Sequence, residues 1–91
     1  MKISEEGRSE FAASHPDWLI EGESIARTFV FTDFTESVGF VVRVGFLAEA
    51  ANHHPDIDIR WNRVTLVLST HEEAALTEMD TSLATAIDGL V

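Results

Sequence analysis

The spacing of apolar residues divides this chain into two pairs of strands separated by one long helix. Residues 18–20 and 24–31 have the composition of strands joined by a hairpin, and residues 56–61 and 64–69 alternate apolar with polar side chains. Between the two pairs, residues 33–51 repeat apolar residues at helical spacing. A short helix is expected within the first 16 residues and another from about Thr77 to Leu90. This order predicts an α+β fold, a four-stranded antiparallel sheet with helices packed on one face.

The long central helix carries two apolar stripes. Asp33 and Glu36 have the spacing of a capping box at its start, and Asn52 is a residue type that commonly ends helices. A helix with two apolar stripes must cover two surfaces, which we expect to be its own sheet and a second subunit. Since a chain of 91 residues without cysteine has no disulfide to stabilise it, burial between copies would help. We therefore expect a homo-oligomer, either a dimer or a tetramer. The stripes are Phe34, Val38, Val41, Gly45 and Ala48, and Phe40, Val44, Leu47 and Ala51.

The charge balance excludes several classes of partner. Six Lys and Arg residues stand against sixteen Asp and Glu residues, for a formal net charge of −10. Such a chain repels nucleic acid and anionic membrane surfaces, because both bind through clustered cations. The sequence shows no signal peptide, no bilayer-spanning run, no repeat and no linker. We expect a single cytoplasmic domain over residues 1–91.

Three of the four histidines lie at the ends of predicted elements. His53 and His54 follow the long helix, and His71 follows the last strand. Histidine exchanges protons near neutral pH, and element ends are where scaffolds often present functional groups. An isolated histidine at such a place is more often a capping or surface residue, so position alone assigns no function. Pro55 restricts His54 to extended backbone and holds this loop in a fixed shape.

Two carboxylates accompany these histidines. Glu49 precedes His53 by four residues on the last turn of the long helix, where it is by default a solvated residue. Asp80 lies in the first turn of the final helix and has capping-box spacing from Thr77, which gives it a structural role that does not exclude a second one.

Three histidines and a carboxylate could also bind zinc. However, adjacent histidines in an extended loop point in different directions, and no His-x-x-x-His spacing is present. The nucleophile elbow of serine hydrolases is absent as well. We expect no metal and no other cofactor.

In combination, these motifs resemble the pterin-4a-carbinolamine dehydratases. The His-His-Pro run at 53–55, the strand-end Thr-His at 70–71 and the spaced Asp80 are specific as a set, although none is specific alone. The resemblance covers about residues 18 to 90. The matching segments are 29–34, 40–44, 49–56, 61–64, 68–72, 76–80, 83–84 and 87–88.

The resemblance implies a specific activity, 4a-hydroxytetrahydrobiopterin dehydratase, and a specific pocket. A pterin carbinolamine would lose water to give a quinonoid dihydropterin, with no metal or redox cofactor. It also implies dimers joined through sheet edges and often tetramers joined through the long helices. The implied catalytic residues are His53, His54, His71 and Asp80, and the implied pterin contacts are Glu49, His53, His54, Pro55, Thr70, His71, Glu72 and Glu73. Within this set we expect His53 and His71 to handle protons, His54 to hold the pterin and Asp80 to orient or charge an imidazole.

The chain departs from the family at three positions near this pocket. Ile57 stands where the family usually has an aromatic residue, Glu73 where a small residue is common, and Ala75 where glycine is usual. Ala75 is acceptable if its φ is negative. A non-catalytic alternative also follows from the resemblance, because some relatives act as dimerisation cofactors of a transcription factor through the long-helix surface.

Overall fold

A computed structural model describes all residues from Met1 to Val91. Its sheet is antiparallel throughout, with strand order β1-β2-β4-β3. The α+β fold is confirmed, and the structure adds one turn of 3-10 helix, His71–Glu73, to the predicted order. The elements are α1 (Glu5–Ser14), β1 (Leu19–Glu21), β2 (Ser24–Val30), α2 (Phe34–Ala51), β3 (Asp56–Arg60), β4 (Arg63–Leu68) and α3 (Glu78–Asp88).

The two central strands, β2 and β4, supply the sheet side of the core. Alternate residues of β4 are fully buried while those between them are half-buried, as period-two spacing predicts. The same alternation buries Ile25 and Phe29 on β2. The remaining core comes from the helices and their flanks. The core residues are Phe11, Trp18, Ile25, Phe29, Phe40, Val44, Val64, Leu66, Leu68, Leu76, Leu83, Ala84 and Ile87.

Strand β3 lies at the edge of the sheet, and its predicted apolar face is largely uncovered. Ile57 is 43% exposed, Ile59 is half-buried and Trp61 is exposed, because the helices pack over the centre of the sheet. The hairpin loop lies one residue earlier than positions 62–63, which the predicted strands 56–61 and 64–69 leave for the turn. Because Arg60 pairs with Arg63, the turn is formed by Trp61 and Asn62, with Trp61 at a φ of 52°.

Helix α2 begins after Asp33 and ends at Asn52 as predicted, but the capping box is only half formed, because Glu36 bonds the N–H of Thr32 and not that of Asp33. The Asp33 side chain accepts a hydrogen bond from the Glu36 N–H at 2.9 Å, and the Glu36 side chain accepts one from the Thr32 N–H at 2.9 Å. The helix ends at Asn52, whose left-handed φ of 49° turns the chain away. Its core face packs against the sheet through Phe40, whose ring centroid lies 4.7 Å from that of Phe29.

Four large apolar side chains on α2 face solvent. Phe34, Val38, Val42 and Phe46 follow one another at i, i+4 spacing, and Phe46 is 74% exposed. We call these four residues the outer stripe. The two predicted stripes therefore divide differently, since Ala48 belongs to the core face and Val42 and Phe46 belong to the outer one.

None of the helices, including α2, the longest, combines the length and the apolarity needed to cross a bilayer.

The segment between β4 and α3 is fastened from two sides. The Ile3 N–H donates to the Leu76 carbonyl at 2.9 Å, and the Leu76 N–H donates to the Glu23 carboxylate at 3.0 Å. That N–H, together with the cations of Lys2 and Arg8, holds the pKa of Glu23 below its usual value against the opposing effect of desolvation. These contacts fix the position at which α3 begins.

Candidate active site

Three histidines meet in a small polar cleft where β3 begins and β4 ends. The segment after α2 supplies two of them and the segment after β4 supplies the third. The left-handed turn at Asn52 directs the chain from α2 towards this end of the strands, and the His53 N–H still bonds the Ala48 carbonyl at 3.1 Å. The cleft has a volume of about 110 Å³ and is lined by Asn52, His53, His54, Ser69, His71 and Glu72.

His53 is held by a buried carboxylate. Its Nε2 lies 2.5 Å from Oδ1 of Asp80, and the two residues are 6% and 0% exposed. The other oxygen, Oδ2, accepts hydrogen bonds from the Thr70 hydroxyl and the Thr77 N–H, both at 2.9 Å. The predicted capping box is confirmed. Asp80 therefore stabilises the start of α3 and orients His53 at the same time.

His54 has a different environment. Its Nε2 lies 2.6 Å from Oε1 of Glu49, and the two side chains are 56% and 80% exposed. An ion pair at such exposure contributes only about 0–1 kcal/mol to stability. His54 and Glu49 are therefore free to change partners, which suits contact with a ligand better than permanent structure.

His71 begins the 3-10 turn and is exposed at the cleft, with no side-chain hydrogen bond. The turn closes at Ala74, which adopts a left-handed φ of 49°. Ala75 is buried, pairs with Thr70 and has no positive φ. The family's glycine is therefore not required at position 75, because the left-handed residue is the one before it.

Several predicted site residues do not line the cleft. Thr70 and Asp80 lie beneath it as buried supports of His53, and Pro55 is half-buried in the loop. Glu73 faces another surface, where its carboxylate contacts the Met1 amino group at 2.6 and 2.8 Å. Any effect of Glu73 on a ligand would have to act across the turn.

Two cleft residues were not in the predicted set. The sequence predicts Asn52 only as a helix stop, although its position directly before His53 would place it beside any ligand. Ser69 lies between the last residue of β4 and the Thr-His pair, and this position is the feature of the sequence that could have indicated a place in the cleft. Both supply neutral hydrogen-bonding groups to the cleft.

His53 also lines an apolar groove between α2 and α3. Its volume is about 550 Å³. His53 is the residue shared by the groove and the polar cleft. The other lining residues are Leu47, Ala50, Ala51, Glu78, Met79, Ser82, Leu83 and Ala86.

The donor atoms in the cleft are not arranged as a metal site. No three His, Cys, Asp or Glu side chains of the chain come together with the geometry needed to hold an ion. His53 and His54 each bond a separate carboxylate, Asp80 and Glu49. The expectation that no metal is used stays a prediction. The arrangement suits proton transfer by imidazoles.

Comparison with known families gives a match over nearly the whole chain. Residues 1–90 match the family described as pterin 4 alpha carbinolamine dehydratase, which extends the likeness upstream of position 18. A protein of Chloroflexus aurantiacus, provisionally named a pterin-4-alpha-carbinolamine dehydratase, is 51% identical over 90 residues. That match covers 99% of this chain and 97% of the relative.

Solved structures show the same fold. The crystal structure of a transcriptional coactivator/pterin dehydratase from Brucella melitensis superposes with a TM-score of 0.90 at 31% identity. The superposition covers 98% of this chain and 97% of that one. A pterin dehydratase-like protein identified as a RuBisCO assembly factor in the alpha-carboxysome gives a TM-score of 0.66 at 19% identity, over 80% and 84% of the two chains. At that identity the likeness concerns the fold alone.

Proposed function

The chain belongs to the pterin 4 alpha carbinolamine dehydratase family, and we propose that it dehydrates a 4a-hydroxytetrahydropterin to the quinonoid dihydropterin. The observation that carries this proposal is the cleft in which His53, braced by the buried Asp80, lies beside His54 and His71. Two imidazoles on a rigid frame are the groups that this reaction needs.

The reaction requires one proton to arrive and one to leave. The bond between C4a and its hydroxyl oxygen breaks when that oxygen receives a proton, and the oxygen departs as water. N5 loses its proton, and the electron pair of that bond forms the double bond between N5 and C4a. His53 and His71 carry these two protons, so the total number of protons on the protein is unchanged, and exchange with solvent returns each imidazole to its starting form. No oxidant or reductant takes part.

The size of the cleft limits how the pterin binds. Sites for drug-sized ligands commonly measure about 300–1,000 Å³, whereas this cleft measures about 110 Å³. The reacting edge of the pterin, with N5 and C4a, therefore enters the cleft while the rest of the ring lies against its rim. The exposed His54 is placed to contact the ring, and Asn52, Ser69 and Glu72 offer hydrogen-bonding groups to it.

A direct assay tests this proposal. A 4a-hydroxytetrahydropterin generated in the cuvette loses water spontaneously, and its ultraviolet absorbance reports the product. We expect the rate above this background to rise in proportion to protein concentration, since each molecule turns over independently. A folded protein that leaves the spontaneous rate unchanged would contradict the proposed activity.

The outer stripe favours a second candidate, a non-catalytic interaction module. Four exposed apolar side chains in one row on α2 form a surface that a partner protein could cover. The Brucella melitensis relative carries the name of a transcriptional coactivator as well as a pterin dehydratase. An interaction module would show no turnover in the assay above, and substitutions in the outer stripe would be its damaging changes.

We propose further that the outer stripe joins copies of the chain. We expect the wild-type protein to sediment as a dimer or larger species at micromolar concentration, without monomer. Phe46→Glu should shift it towards a smaller species, because burial of a phenylalanine contributes about 1.5–3 kcal/mol and a buried carboxylate is costly. Ala12→Glu, which adds the same charge at an exposed position of α1, is the matched control. A wild-type protein that sediments as a clean monomer would refute this part.

A further inference from the structure

Four buried residues beneath the cleft form one continuous chain of hydrogen bonds. The Thr77 and Thr70 hydroxyl oxygens are 2.6 Å apart, the Thr70 hydroxyl lies 2.9 Å from Asp80 Oδ2, and Asp80 Oδ1 lies 2.5 Å from His53 Nε2. All four residues are at least nine-tenths buried, and Thr70 is only 1% exposed. Water therefore has little room to replace any member of the chain.

The direction of each bond follows from counting hydrogens. The single hydroxyl hydrogen of Thr70 goes to Asp80, so the Thr77 hydroxyl must donate to Thr70. The Thr77 oxygen in turn accepts from the Met79 N–H at 3.2 Å. Asp80 Oδ2 thus receives two donors, the Thr70 hydroxyl and the Thr77 N–H. Because an ionised carboxylate can only accept hydrogen bonds, its remaining partner, His53 Nε2, must carry a hydrogen.

The other ring nitrogen of His53 is then free. Nδ1 makes no hydrogen bond within the chain, and it is not fully buried from solvent. In a neutral imidazole whose Nε2 carries the hydrogen, Nδ1 has a lone pair and accepts protons. His53 forms part of the cleft wall as well as of the apolar groove, and a lone pair on the cleft side can serve a ligand there.

We propose that Thr70 is a positioning residue that sets the protonation pattern of His53, and that His53 accepts the N5 proton through Nδ1. The hydroxyl of Thr70 directs a hydrogen at Asp80 and so keeps that carboxyl an acceptor. Without it, Asp80 can take up one proton from solvent and donate it to Nε2, while the ring hydrogen moves to Nδ1 and blocks the base. The N5 step rests on the proposed function, but the tautomer does not.

The tautomer is measurable on the free protein without any pterin. Long-range proton–nitrogen correlation of the histidine rings separates a nitrogen that bears hydrogen from one that does not. In the wild type we expect the neutral ring of His53 to be in the Nε2–H form. Thr70→Val removes the hydroxyl at constant size and should raise the Nδ1–H population, whereas Thr70→Ser should restore the wild-type pattern. Thr28→Val, which breaks the exposed bond between the hydroxyls of Thr28 and Thr65, is the matched control.

Kinetics give the second measurement. A hydrogen bond to a charged group contributes about 1.5–3 kcal/mol, so Thr70→Val should lower kcat roughly 10- to 100-fold. KM should change little, because Thr70 does not reach the cleft. Thr70→Ser and Thr28→Val should keep kcat within a few-fold of the wild type.

Each outcome decides the proposal. An Nδ1–H form of His53 in the wild type overturns it, even if Thr70→Val does not fold. A Thr70→Val protein that keeps the Nε2–H form also overturns the proposal, whatever its kcat. A Thr70→Val protein that loses this form but keeps the wild-type kcat overturns it as well. A tautomer change in a protein with no dehydratase activity even in the wild type would support the positioning role of Thr70 and refute the proposed function and its N5 step.

Discussion

Replacement of His71 by alanine should lower kcat for dehydration by roughly 10²–10⁴-fold, the usual contribution of a positioned acid or base. The side chain is exposed and has no hydrogen bond within the chain, so the melting temperature should not change. His53→Ala should lower kcat by a similar factor. It should also cost about 1–3 kcal/mol of folding free energy, because Asp80 loses a buried partner. Steady-state kinetics and thermal unfolding on the same samples measure both effects.

The other two histidines should behave differently from this pair, and His15 is the control. His15 stacks on Phe11 with ring centroids 4.3 Å apart and bonds Thr85 at 2.9 Å, remote in the fold from the cleft residues. His15→Ala should therefore loosen α1 while leaving kcat unchanged. His54→Ala should raise KM more than it lowers kcat, since this exposed residue is expected to hold the pterin. An active wild type whose activity survived all three cleft substitutions would refute the histidine mechanism and leave the fold untouched.

The local parts of this fold could be predicted because short-range chemistry determines them. Alternation along β4 gives its buried face directly, and the Thr77–Asp80 spacing gives the capping box. Asn52 ends α2 because asparagine tolerates the left-handed conformation that the chain adopts there. Each of these depends on neighbours within a few residues.

Other features depend on contacts that sequence spacing does not contain. The exposure of Ile57 follows from the edge position of β3, which is set by strand order. Likewise, the bond between His53 and Asp80 joins residues 27 positions apart, and only packing of α3 against α2 brings them together. For this reason, the sequence placed Asp80 near the histidines only through the resemblance and did not identify which imidazole it bonds.

Asp80→Asn should be the most destabilising conservative substitution in the cleft region. The carboxylate accepts from three donors, one at His53, one at Thr70 and one at Thr77. An amide satisfies these partners only with its oxygen towards Thr70 and Thr77 and its nitrogen towards His53 Nε2, and the ring must then take the Nδ1–H form to accept from that nitrogen. We expect a loss of about 1–3 kcal/mol, because neutral hydrogen bonds replace those of the charged carboxylate and the helix cap is weakened. For a domain of this size that lowers the melting temperature by roughly 4 °C or more.

Asp33→Asn is the matched control for this prediction. Asp33 caps α2 at an exposed position, where asparagine caps a helix about as well as aspartate. Its substitution should change stability by no more than a few tenths of a kcal/mol, in contrast to Asp80. Thermal unfolding of the two variants side by side separates a buried hydrogen-bond centre from an ordinary helix cap. Equal melting temperatures would show that Asp80 serves only as a cap, and the coupling of α3 to His53 would then have no energetic basis.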